Sequence, residues 1–137
     1  MKNHMTPGQV QACRRCIDLC EQGIDICQKL IDMCSISLTK ECAANCGKCV
    51  RICTQIQAAC QECIEECQRH LQVCNSQACQ KACHECIKAC QDCSKQCSES
   101  IPACRAEDAK CIQECLKCIE RFNACAQACQ KCIGFSQ

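Results

Sequence analysis

Cysteine recurs along this chain at the beat of an α-helix, and that beat restricts the fold more than any other feature. In "CQKACHECIKACQDCSKQC", Cys79, Cys83, Cys86, Cys90, Cys93 and Cys97 follow at alternating gaps of four and three. With 3.6 residues per turn, such gaps put every thiol on one face of a helix. A strand, with its period of two, would scatter them over both faces. The "CHEC" within it has the look of half a zinc finger, yet the rhythm runs on for several turns in both directions.

The same 3/4 spacing organises the remaining cysteines. A first set is Cys13, Cys16, Cys20, Gly23, Cys27, Leu30 and Cys34; a second is Cys42, Cys46, Cys49, Cys53, Ile56, Cys60, Cys63, Cys67, His70 and Cys74. After the third set, Cys79 to Cys97, the fourth reads Cys104, Asp108, Cys111, Cys115, Cys118, Phe122, Cys125, Cys129 and Cys132. Helix punctuation falls between them. Thr6 precedes Pro7, with Gln9 placed to complete a capping box. Thr39 and Ser76 are further candidate caps, Ser100 followed by Pro102 reads as another helix start, and Gly134 closes the last segment. The pattern predicts four helices, roughly 7–36, 40–74, 77–99 and 101–133, within a single domain spanning 1–137. Short connections imply antiparallel neighbours, so the expected fold is all-α: an antiparallel four-helix bundle with a cysteine-lined core.

Aliphatic residues run beside the stripes. Val10, Ile17, Ile24, Ile31 and Leu38 repeat every seven residues, with Leu19, Ile26 and Met33 on the other flank. Ile52, Ile64, Leu71 and Val73 flank the second helix, and Ile112 and Ile119 the fourth. Sulfur is thus expected in the centre, aliphatic side chains at the joints, and Gln, Lys, Glu and Arg in water.

Packing alone does not account for 26 cysteines. Leucine or isoleucine would bury more apolar area in each slot, without the oxidation liability of a thiol. A disulfide framework is not expected, because Gly (4) and Pro (2) are scarce and the spacing is regular. A net charge of +1 gives no footprint for nucleic acid, and no apolar run has the length of a membrane span. "MKNHMTPGQVQAC" lacks the apolar segment of a secretory signal, so a cytoplasmic location is expected, which also favours free thiols.

The remaining role is metal binding, and soft thiolates select Cu(I), Zn or iron–sulfur clusters. Zinc at four sulfurs per ion would supply about +12 against 26 thiolate charges, leaving a large charge in a narrow core. Cu(I) at about one ion per thiolate cancels the charge. Pairs at i, i+4, such as Cys16–Cys20, Cys42–Cys46 and Cys86–Cys90, let two sulfurs turn toward one ion. The candidate ligands are all 26 cysteines together with His70.

Repeated CxxxCxxC on four predicted helices, as in "CAANCGKCVRIC" and "CQKACHECIKAC", resembles the bacterial copper storage proteins over essentially the whole chain. The resemblance is to their cytosolic branch. It implies an antiparallel bundle filled by many Cu(I) ions and a homotetrameric assembly. Exported members carry Met and His near one mouth of the bundle; here Met33 is the comparable thioether.

His70 stands on the stripe as a ligand or gate, the alternative being a histidine that caps the helix end; His84 lies beside the stripe and reads as peripheral. Asp108 marks a hydrated mouth or a first helical turn, and His4 with Met5 reads as a loose tail. Leu30, Ile56 and Phe122 are expected as apolar plugs, with Gly23 marking a close helix approach or a bend. A metallothionein-like Zn or Cd buffer is the alternative function, weakened by the helical periodicity. No enzyme is expected, because no basic activator or cofactor motif accompanies the thiols.

Overall fold

The computed structural model describes residues 5–34, 40–106 and 109–136. Four helices account for most of them: α1 (Pro7–Cys34), α2 (Lys40–Leu71), α3 (Gln77–Arg105) and α4 (Lys110–Ile133), with a short 3-10 turn at Gly134–Ser136. There is no strand among the described residues. Each helix packs against the two adjacent in the order α1–α2–α3–α4, and α4 closes the ring on α1. No described helix is long and apolar enough to cross a membrane.

Local chemistry accounts for most of the ends. Thr6 caps α1, its Oγ1 accepting from the Gln9 N–H at 3.2 Å, and Ser76 caps α3 by accepting from the Cys79 N–H at 3.3 Å. α2 stops at Leu71, where the N–H groups of Val73 and Cys74 both turn back to the His70 carbonyl. Val73 therefore lies past the helix end and is exposed, a correction to its expected place on a sealing flank. Gly134 ends α4 with right-handed φ −54° and ψ −25°, leading into the 3-10 turn. Thr39, Leu38, His4 and Asp108, each given a part in the sequence reading, lie outside the described residues.

The third helix break differs from expectation. Ser100 and Pro102 do not open a helix; α3 runs through both to Arg105. Ser100 falls three residues after Cys97 and four before Cys104, so it continues the buried stripe and is itself fully buried. Cys104 accordingly belongs to α3, and α4 begins its stripe at Cys111. Cys104 and Cys111, whose spacing suggested one helix, lie on two.

The expected flanks otherwise pack on the core. Ile17, Ile52 and Ile64 are buried, and Val10, Leu19, Ile24, Ile26, Ile31, Ile112 and Ile119 are half-buried against it. Met5 is also buried, at 7% exposure, so it is no loose tail. Gly23 is a place of close packing between helices. A Cβ there would lie 2.7 Å from Phe122 Cε2 and 2.9 Å from Ile56 Cδ1, so the missing side chain makes room for two large ones.

Candidate metal centre

All 26 cysteines are buried, and four helices bring their sulfurs together in groups. Cys13 on α1, Cys63 on α2, Cys86 on α3 and Cys129 on α4 form one such group. Cys63 Sγ stands 3.5 Å from Cys13, 3.5 Å from Cys86 and 3.9 Å from Cys129, and Cys86 lies 3.7 Å from Cys129. Further along, Cys16, Cys90, Cys125 and Cys129 converge, with Cys16–Cys125 at 3.4 Å and Cys90–Cys125 at 3.7 Å. Three-sulfur groups follow at Cys20/Cys93/Cys125, Cys27/Cys49/Cys115 and Cys67/Cys86/Cys132. A metal–thiolate bond of about 2.3 Å sets sulfurs around one ion about 3.8 Å apart in a tetrahedron and about 4.0 Å apart in a triangle. The distances between these thiols are close to both. The buried cysteine clusters are therefore suited to hold metal ions as thiolates.

Burial acts upward on these thiols, while hydrogen bonding among them raises some further and lowers others: Cys53 and Cys93 pull Cys97 down to about 6, and Cys27 and Cys53 pull Cys118 down to about 5. Cys79 is pushed up to about 12, first by burial and then by its neighbours Cys74 and Cys83. Cys83 is pulled down by Cys132, but Cys67 and burial outweigh this and leave it at about 11. At Cys20, Cys53 and Cys132 every influence acts upward: neighbouring thiols first, Cys125, Cys118 and Cys13 respectively, and then burial. A cation entering such a site must therefore displace protons.

Two expected ligands are not free. Cys34 and Cys42 are joined in a disulfide, so neither offers a thiolate. They end α1 and begin α2, with Cα atoms 5.8 Å apart, within the ordinary reach of a disulfide. The other 24 cysteines are in no disulfide. Cys46 and Cys104 each approach Cys111, at 3.9 and 2.8 Å. Toward the opposite end, Cys74 donates to the Ser76 carbonyl at 3.7 Å and Cys132 to the Ala82 carbonyl at 3.2 Å.

His70 is buried at 2% exposure with Nε2 3.2 Å from Cys79 Sγ, while its Nδ1 has no hydrogen-bond partner among the described residues. His84 is exposed. Four buried polar residues, Gln9, Asn45, Gln96 and Ser100, were not read from the sequence as members of the core, and Asn45 donates to Met33 Sδ at 3.2 Å. Gln9 does not turn back to complete the capping box; its amide donates into the core to Cys67 (3.4 Å) and Cys83 (3.5 Å), and its Oε1 has no partner among the described residues. Ser100 Oγ lies 3.0 Å from Cys118 Sγ, and Gln96 bridges outward from Ser100 Oγ (3.1 Å) to Glu114 Oε2 (2.6 Å). The signal for Gln9 and Ser100 was available: both sit on the 3/4 register of their helices, four before Cys13 and three after Cys97. Compared with known protein families, characterised proteins and solved structures, the chain has no match.

Proposed function

We propose that this chain is a high-capacity Cu(I) store of the bacterial copper storage kind, with four antiparallel helices around a cysteine-lined core. The antiparallel reading is supported by the sulfur pairs. From Cys13 to Cys16 on α1, the facing thiols step back from Cys63 to Cys60 on α2 and from Cys129 to Cys125 on α4.

The observation that carries copper over zinc is the sharing of sulfurs. Cys129 belongs to both four-sulfur groups, and Cys125 and Cys86 each belong to two groups. Closed zinc sites of four thiolates each would compete for these atoms and leave the core strongly anionic. Cu(I), a soft monovalent ion, suits a column of bridging thiolates whose charge it cancels one for one. Cytoplasmic residence, a homotetrameric assembly and the lack of catalysis belong to the same reading. Its support is the resemblance of the cysteine repeat and the repetition of a single kind of reactive group.

The test is an anaerobic titration of the reduced protein with Cu(I) against a competing chelator, repeated with Zn present. We expect uptake of about one Cu(I) per thiol, undiminished by Zn, with the protein helical before and after loading. Saturation at one or two ions, or preferential filling by Zn, overturns the reading.

A further inference from the structure

At one level the sulfur column is interrupted on three of the four helices. On α1 the thiols skip from Cys20 to Cys27 across Gly23; on α2 from Cys60 to Cys53 across Ile56; on α4 from Cys125 to Cys118 across Phe122. These three interruptions meet. The Phe122 ring and the Ile56 side chain fill the space over Gly23, within 2.7 and 2.9 Å of where its Cβ would be, and both are fully buried. Seven residues of helix advance about 10 Å. One ion joins sulfurs no more than about 4.6 Å apart, twice a metal–thiolate bond, so it cannot span that gap.

At this level the beat of α3 does not break. Cys93 and Cys97 stand four residues apart on the inward face of α3, both fully buried beside this apolar layer. Cys93 groups with Cys20 and Cys125 on one side, and Cys97 follows one helical turn further on the other.

The geometry points to a store of two chambers, divided by an apolar septum of Gly23, Ile56 and Phe122 and connected through Cys93 and Cys97. This rests on the reading of the thiols as a Cu(I) store. The septum has a second consequence for the cargo: ions in the chamber around Cys27, Cys49 and Cys115 reach the His70 end only by passing from thiolate to thiolate along α3.

The experiment loads the reduced full-length protein with Cu(I), adds excess of a strong Cu(I) chelator and follows release. The expected course is two phases of comparable amplitude. Phe122→Cys restores the missing sulfur, and we expect loss of the slow phase and about one further Cu(I) bound per chain. Phe122→Leu keeps an apolar layer and should keep both phases; helicity of each variant checks folding. Cys97→Ser should retard the slow phase and leave the fast one unchanged. Full uptake with a single release phase in the natural sequence, or two unaltered phases in folded Phe122→Cys, overturns the septum while leaving the store intact. Failure to take up Cu(I) at all overturns the store itself.

Discussion

At residue scale, Gly23 shows how packing overrides propensity. In an ordinary helix, replacing a mid-helix glycine with alanine stabilises by about 1 kcal/mol. Here the new methyl would stand 2.7 Å from the Phe122 ring, closer than real side chains approach. Forcing a methyl into a filled core costs about 1–3 kcal/mol. Gly23→Ala should therefore lower the urea midpoint of the reduced, metal-free protein, and adding Phe122→Leu should recover most of the loss. A midpoint that rises in the single variant would mean the ring moves aside freely. The inward placement of Gly23 is legible in the sequence from its 3/4 spacing. Its partners are not, because pairing Gly23 with Ile56 and Phe122 requires the relative register of three helices. Gln9 escaped for a different reason: one position satisfies both a capping box and an inward slot, and only the core thiols Cys67 and Cys83 decide between them.

At the scale of the element, α3 carries the largest difference between expectation and structure. Ser100 before Pro102 matches a helix start, and Ser100 after Cys97 equally matches a continuing stripe. Burial decides for the stripe, with Ser100 Oγ 3.0 Å from Cys118. The helix then tolerates Pro102 near its last turn, where the Ala106 N–H still reaches the Pro102 carbonyl at 3.0 Å. Proline has no N–H to return to the carbonyl four residues back, and its ring crowds that carbonyl. Pro102→Ala should consequently stabilise the metal-free bundle, by between about 1 and 3 kcal/mol, in denaturant unfolding. Were residue 102 in the first turn of a new helix, the same change would gain nothing and would remove a favourable residue. The four thiol stripes were legible because one residue type marks the inward face at the helical period; the α3 terminus was not, because its stop lies in a turn beginning at Ala106 with no glycine or side-chain cap to announce it.

For the whole molecule, the decisive balance is between protons and cations in a core of thiols. Cys79 and Cys83, at the His70 end, are raised from 9.0 to about 12 and about 11. The unfolded chain ionises near the ordinary value, while these folded groups stay protonated until the raised values are passed. Between those limits unfolding releases protons. Their contribution to stability is fully present below about pH 9 and is lost as pH rises toward 11–12. A loaded core has already given up its thiol protons to bind metal, so it has none to lose in that interval. Below neutrality the balance turns, because protons then compete with the ion for each thiolate. Urea unfolding of metal-free and Cu(I)-loaded protein at pH 7 and pH 10 separates these terms. Cys97 and Cys118, held at about 6 and about 5, act in the opposite sense below pH 9, so the share of Cys79 and Cys83 is read by difference. Between the two pH values the metal-free Cys79→Ser/Cys83→Ser protein should lose less stability, or gain more, than the natural sequence, while the loaded midpoint should hold. Equal changes in the two metal-free proteins would show that Cys79 and Cys83 ionise inside the bundle without cost, and that the apolar flanks, not neutral sulfur, hold the helices together at that end.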